Sequence, residues 1–249
     1  MLAAWSLWRR ELTRFFRQPS RIAGAVGTPL LVWLLIGSGL SGSFRLPGAP
    51  AGPGYLQYFF PGTLVLVLLF AAIFSNLSVI EDRHEGFLQG VLVAPVSRSA
   101  IVAGKVLGGA TLAWLQAVVF LALAPAIGIR LTAVSALAAA GVLAVLALAL
   151  TALGFAFAWK VDSVQGFHAV MNVVLMPMWL LSGSFFPLSG APAWLAALMR
   201  LNPLTYGVAA LRGTLFGGGT PASSLAVTLL LGLAAFAAGL LATRGGRVD

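Results

Sequence analysis

Apolar runs long enough to cross a lipid bilayer recur along this chain from end to end. The hydrocarbon core of a bilayer is about 30 Å thick, a distance that a helix of about 20 residues spans. Of the 249 residues, 60% are hydrophobic and only 8% are charged, whereas soluble domains carry roughly 25% charged residues. These proportions exclude a soluble globule and predict a membrane protein whose core lies in the bilayer.

We predict an all-α membrane protein, because the apolar runs are continuous and lack the in–out alternation of barrel strands. The chain is treated as a single transmembrane domain over residues 1–249. Its six predicted transmembrane helices cover residues 22–41, 56–79, 102–126, 133–158, 165–186 and 222–243.

Basic residues concentrate on one side of these spans. The first side holds Arg9, Arg10, Arg14, Arg17, Arg21, Arg83, Arg98, Lys105, Lys160, Arg244 and Arg247, and the opposite side holds Arg45, Arg130, Arg200 and Arg212. By the positive-inside rule the first side, with both termini, is cytoplasmic. The same rule explains the net charge of +9, so no nucleic-acid partner is expected. The abundance of Ala, Gly, Leu and Arg is typical of a GC-rich bacterial genome, which makes the predicted location the bacterial cytoplasmic (inner) membrane.

Several kinds of chemistry are disfavoured by what the chain lacks. It has no cysteine and only two histidines, His84 and His168, which do not stand at ligand spacing, so no metal site is predicted and no catalytic residue is assigned. No Asp, Glu or Lys falls in the middle of a predicted span, although ion-coupled carriers usually need such a group. An ion-coupled secondary transporter is therefore disfavoured.

The first 20 residues predict an amphipathic helix that lies in the membrane surface. At 100° per residue the large apolar side chains share one arc and most of the basic ones face away from it. Pro19 is expected to end this helix before the first span. The candidate interface residues are Trp5, Trp8, Arg10, Glu11, Arg14 and Arg17. The pattern alone leaves open whether the helix contacts a partner or only anchors the topology.

Residues 80–98 form a charged and partly apolar hairpin between the second and third spans. The pattern favours a short cytoplasmic helix that docks a soluble protein over an ordinary solvated loop, and on this interpretation Glu81→Lys abolishes coupling without lowering expression. The candidate coupling residues are Glu81, Asp82, Arg83, Glu85, Gly86, Phe87, Leu88 and Pro95.

Residues 187–220 are apolar but interrupted by prolines. The helical pieces predicted near 192–200 and 204–215 are roughly 13–18 Å long, too short to cross a bilayer. We therefore predict a re-entrant extracytoplasmic segment in the outer leaflet, with Arg200 and Arg212 reaching toward lipid headgroups.

These three segments, in this order, resemble the ABC-2 type permease family, the transmembrane subunits of ATP-binding-cassette exporters. The N-terminal Arg-Glu…Arg-x-Pro element, the charged segment followed by Pro-Val-Ser-Arg and Gly-Lys, and the Pro-x-Trp…Asn-Pro-Leu-Thr-Tyr…Arg pattern all fit. The matching positions are Arg10, Glu11, Arg17, Pro19, Glu81, Arg83, Gly86, Leu88, Pro95, Val96, Ser97, Arg98, Gly104, Lys105, Pro192, Trp194, Asn202, Pro203, Leu204, Thr205, Tyr206 and Arg212. One departure is Phe87-Leu88-Gln89, where many members have Thr-Leu-Glu.

The resemblance implies a permease subunit that moves an amphipathic substrate (a drug, a lipid or a lipid-linked glycan) outward. It also implies two separate ABC ATPase subunits, which hold ATP and Mg, and a second copy of this chain or a related permease, all in contact with membrane lipid. In this view residues 80–98 are the coupling helix. The chain has no phosphate-binding G-x-x-x-x-G-K-[ST] loop of its own, so no cofactor is expected in it. The alternative is an ATP-independent facilitator or a structural membrane anchor.

The resemblance places the substrate path between two permease subunits, along the first, second and fifth spans. Aromatic, Met and Asn side chains of the second and fifth spans are candidates for its lining, since Met adapts to varied ligands. Lipid-facing aromatics and interhelical hydrogen bonds of the two asparagines are the ordinary alternatives. The candidates are Phe59, Phe70, Phe74, Asn76, Met171, Asn172, Met176 and Trp179.

Overall fold

The structure, a computed structural model, describes residues 2–41, 54–219 and 222–245. Arg45 and Arg247 of the sequence analysis lie outside these ranges. The described residues form helices and turns without a strand, which confirms an all-α protein. The α-helices are α1 (Leu2–Phe16), α2 (Pro19–Gly39), α3 (Tyr55–His84), α4 (Phe87–Val93), α5 (Arg98–Leu121), α6 (Ala133–Ala158), α7 (Val164–Trp179), α8 (Ala193–Leu201), α9 (Pro203–Phe216) and α10 (Ala222–Gly245).

Within the described ranges six helical stretches are long and apolar enough to cross a bilayer, as the sequence predicts. They are Pro19–Gly39, Tyr55–His84, Arg98–Ile127, Ala133–Ala158, Val164–Ser184 and Ala222–Thr243. Pro19 occupies the first turn of α2, where its missing N–H has no helical partner to lose.

Helix α3 is the centre of the bundle. It packs against α2, α5, α6 and α7, and nearly all of its side chains from Tyr55 to Ile80 are buried. The most apolar window of α3 is 89% buried, whereas those of the first, fifth and sixth spans are only 22–24% buried. These three spans therefore leave wide apolar faces for lipid or another protein.

The second span is longer than the sequence predicts. Helix α3 continues through residues 80–84, so the first five residues of the predicted hairpin belong to the span helix. The last residue of α3 is His84. The chain then turns at Gly86, whose φ of 75° is left-handed, a conformation that costs glycine little. The separate helix α4 follows over only seven residues.

The short helices α8 and α9 match the two pieces predicted in 187–220. The fifth span ends at a break in Leu180–Ser184, where Gly183 has a φ of 78°. Asn202 then links the parts: its Oδ1 accepts from the Leu204 N–H at 3.0 Å, and its Nδ2 donates to the Met178 carbonyl at 2.5 Å. The Asn-Pro-Leu-Thr-Tyr sequence thus caps α9 and ties it to the fifth span.

Candidate functional site

A network of buried ion pairs joins α1 to the C-terminal end of α3 and the N-terminal part of α5. We call the side of the molecule that holds these segments and α4 the charged face. Asp82 is the centre of the network. Both of its oxygens accept from the Arg10 guanidinium, at 2.7 and 2.8 Å. Arg14 Nη1 donates to Oδ1 at 2.7 Å, and Lys105 Nζ donates to Oδ2.

A second carboxylate, Glu11, extends the network toward α5. Its Oε1 accepts from Lys105 Nζ at 2.6 Å, and its Oε2 accepts from Ser78 Oγ at 2.7 Å. A third carboxylate, Glu81, accepts from Arg14 Nη2 at 2.8 Å and from Arg21. Three helices and the start of α2 are thereby joined by charge.

The charged groups of these ion pairs are largely shielded from water, so their pairing affects the stability of the protein. Asp82 is fully buried and Glu11 is 4% exposed, while Lys105 shows 2% of its side chain. Charges removed from water are stable only when they are well paired, and removing one partner leaves the other uncompensated. The pKa of Arg10 is raised, chiefly by its hydrogen bond to Asp82.

The packing of α1 on α5 explains how the network forms. Leu7, Glu11 and Phe15 are spaced four apart and form the buried side of α1. They meet α5 at two glycines: a Cβ on Gly104 would lie 2.7 Å from Leu7 Cβ, and one on Gly108 would lie 2.8 Å from Glu11 Cβ. The glycines therefore permit an approach close enough for Glu11 to reach Lys105.

The structure places the predicted coupling residues in different surroundings. Glu81 and Asp82 are held by cations of this chain, and Glu85 is 60% exposed with its carboxylate 3.6 Å from Arg14. Phe87 lies under the Arg10 guanidinium, 3.7 Å from ring centroid to Cζ. Leu88 is buried and Pro95 is exposed.

Three exposed residues of α4 were not among the candidate coupling residues of the sequence analysis. Gln89 and Gly90 face solvent, and Val93 is 85% exposed. The signal was present, because Phe87, Leu88 and Val91 fall on one side of a helix and these three fall on the other.

The Arg83 guanidinium contacts the chain at the end of α6. Its guanidinium donates to the Trp159 carbonyl at 2.6 Å and to the Val161 carbonyl at 3.0 Å. These groups lie just after the end of α6, where carbonyls lack helical partners. A contact of 3.3 Å with Asp162 adds an ion pair that is largely exposed.

Some of the predicted interface residues contact other helices, and others have exposed side chains. Trp8 donates from Nε1 to Thr111 Oγ1 on α5 at 3.1 Å, while Trp5 stacks on Trp8 and is 59% exposed. Arg17 is exposed, and so is Arg9, which the sequence analysis did not single out. Of the apolar arc, Phe15 packs into the protein and Phe16 is 63% exposed.

The eight candidate path residues do not share one surface. Phe59, Asn76, Met171 and Trp179 are buried in the bundle, Phe70, Phe74 and Met176 are half-buried, and Asn172 is exposed. Two of the buried side chains join helices. Asn76 Nδ2 donates to the Thr151 carbonyl at 3.1 Å, and Trp179 Nε1 donates to the Gly62 carbonyl at 2.7 Å.

On the opposite face Arg212 points inward, so the prediction that it reaches toward lipid headgroups is wrong. Its Nη2 donates to the Gly183 carbonyl at 3.1 Å and approaches the Tyr58 carbonyl at 3.4 Å, and its Cζ lies 4.2 Å from the Tyr58 ring centroid. The break of the fifth span at Gly183 offers carbonyls that a regular helix would have used. Arg200, in contrast, is exposed.

Comparison with known protein sequences identifies the family of this chain. The sequence profile of the ABC-2 type transporter family matches residues 3–216. The chain belongs to that family. The match runs from α1 through α9, so the charge network, α4 and the helices after the fifth span all lie inside it.

Three relatives illustrate the family. A protein of Cyanophora paradoxa named as a transport permease, ycf38, is 30% identical over 210 residues, which cover 83% of this chain and 71% of the relative. The inner membrane transport permease YadH of Escherichia coli K12 is 29% identical over 224 residues, 85% of this chain and 82% of YadH. The daunorubicin resistance ABC transporter permease protein DrrB1 of Streptomyces coeruleorubidus is 26% identical over 218 residues, 85% and 74% of the two chains. This ABC-2 family chain is accordingly a multi-pass transport permease subunit.

Proposed function

We propose that this permease exports an amphipathic substrate across the bacterial cytoplasmic membrane, using ATP hydrolysed by two separate ABC ATPase subunits. The observation that carries the proposal is helix α4, a seven-residue helix outside the spans. One side of α4 is anchored to the bundle, and the other side is free to contact a soluble protein.

The anchored side connects α4 to the charge network. Leu88 is buried, and Phe87 packs under Arg10, which is itself held by Asp82 at the end of the second span. A displacement of α4 is therefore passed to α1 and α3 together. We infer that the buried carboxylates contribute to coupling by holding these helices as one unit, while Gln89, Gly90, Val93, Pro95 and Glu85 meet the ATPase.

The charged face is proposed to be cytoplasmic, with both termini on that side. The basic excess of the sequence supports this orientation, and an ATPase can reach α4 only there. ATP and Mg belong to the partner subunits, and no cofactor is assigned to this chain.

The exposed faces of the first and fifth spans fit a second permease, either another copy or a related chain. Asn172 presents an amide on the exposed side of the fifth span, beside Val173, which is 74% exposed. A polar group on such a face is costly in lipid and suits a path between two subunits. The drug resistance in the name of DrrB1 supports a drug or another amphiphile as the substrate.

The test is Val93→Asp, measured by ATPase co-purification in mild detergent and by substrate-stimulated ATP hydrolysis in vesicles. A carboxylate buried without a partner in an interface should weaken ATPase binding by at least about tenfold. The matched control is Val134→Asp, since Val134 is 78% exposed at the start of α6 on the opposite face.

Loss of the ATPase from the Val93 variant alone supports the proposal, and normal co-purification of a stimulated ATPase with both variants contradicts the docking role of α4. Glu81→Lys is a poor test, because it would place an ammonium beside Arg14 and Arg21. We therefore no longer expect Glu81→Lys to leave expression unchanged, because the variant should also weaken the attachment of α1 to α3.

A further inference from the structure

An open cleft of about 790 Å³ runs along the outer side of α1, and four of its nine lining residues are arginines. Arg9, Arg10, Arg14 and Arg17 border it, and Glu85 is the one carboxylate among its lining residues. We propose that this cleft binds the phosphate head group of an anionic phospholipid of the adjacent leaflet, with a two-phosphate lipid such as cardiolipin binding most tightly.

The ion pairs show which arginines are available to a ligand. Arg10 and Arg14 already bind Asp82, and Arg14 also meets Glu81 and Glu85. Within the described ranges no ion pair includes Arg9 or Arg17, and both side chains are exposed. The carboxylates of the network thus leave the charge of these two arginines uncompensated.

The spacing of the two arginines suits a ligand with more than one phosphate. Arg17 directly follows the last residue of α1. It stands eight residues from Arg9, which corresponds to roughly 12 Å along the helix axis. Thr13 lies midway on the same side and is also part of the cleft wall. Basic pockets at the cytoplasmic ends of transmembrane helices are typical sites for lipids with several phosphates.

The exposed aromatic side chains beside Arg9 indicate that the ligand is a lipid and not a soluble protein. Trp5 is 59% exposed and Phe16 is 63% exposed, and both lie on the side of α1 adjacent to Arg9. Exposed aromatic side chains on an amphipathic helix insert at the headgroup–acyl boundary, which brings Arg9 level with the phosphates. The exposed surface of α4, by contrast, carries no such aromatic residue.

Native mass spectrometry of the purified full chain, titrated with cardiolipin or with phosphatidylcholine, tests this site. In the double variant Arg9→Gln/Arg17→Gln cardiolipin should bind roughly thirtyfold more weakly, and phosphatidylcholine binding should not change. The matched control is Arg130→Gln/Arg200→Gln, which removes the same charge from two exposed arginines on the opposite face.

Equal weakening in both double variants would reduce the effect to net charge and overturn the site. Displacement of cardiolipin by inorganic phosphate would reassign the cleft to a free anion. Unchanged lipid binding, with loss of the co-purified ATPase from the cleft variant, would make the cleft a protein-docking surface and also overturn the proposal. Since lipid binding needs only this chain, a failure here is distinct from a failure of the proposed export function. If the double variant does not fold, Arg9→Gln alone carries the test, with Arg200→Gln as its control.

Discussion

Lys105 is a single residue of the network on which much of the protein's stability should depend. Its ammonium binds Glu11 and Asp82, and 2% of its side chain is exposed. Lys105→Met should therefore leave two buried carboxylates undercompensated and destabilise the protein by about 3–5 kcal/mol. Thermal unfolding in detergent measures the effect, and Lys160→Met, at an exposed position, should be nearly neutral.

The double variant Glu11→Gln/Lys105→Met separates pairing from simple loss of packing. Because it removes one charge of each sign, it should cost less than the sum of the two single variants. Strict additivity would show that the two side chains do not interact, and the network would have to be redrawn.

At single residues, the sequence predicts which charged side chains matter better than it predicts which partners they contact. Charge spacing identified Glu81, Asp82 and Glu85 as special, but their partners Arg10 and Arg14 lie about 70 residues earlier on another helix. Such pairing depends on how α1 packs against α5 beside the end of α3, which no local periodicity encodes. The same reason explains Arg212, whose acceptors arise only where the fifth span breaks.

At the scale of elements, the position of α1 depends on the glycines of α5. Gly104→Val would place side-chain atoms against Leu7 and the Ala4 carbonyl, and overpacking of this kind costs about 1–3 kcal/mol. We expect α1 to detach from α5, so that trypsin cleaves at its arginines faster. The rate of appearance of these fragments in vesicles measures the change.

Gly141→Val is the matched control for this element, because a Cβ on Gly141 meets nothing within 4 Å. Equal cleavage of both variants and the parent would mean that α1 does not rely on this contact.

The transmembrane helices themselves were predictable from the sequence, since hydropathy and length decide them. The end of α3 was not, because it depends on the left-handed turn at Gly86 and not on where the apolar run stops.

At the scale of the whole molecule, the orientation of the bundle decides which partners can reach α4. The chain contains no cysteine, so single cysteines at Val93 and Val134 report on the two faces without background. Only α5 crosses between these positions. A membrane-impermeant maleimide should label Val93→Cys, and not Val134→Cys, in inverted inner-membrane vesicles, and should show the reverse pattern in spheroplasts.

Labelling of both cysteines from one side would mean that α5 does not cross the membrane, against its length and hydropathy. Labelling in the opposite sense would be more damaging to the proposed function. The charged face would then lie outside, where neither a cytoplasmic ATPase nor the anionic lipid of the inner leaflet could reach α4 or the cleft. The expected pattern leaves α4, the cleft and the ion network on the side where ATP is available.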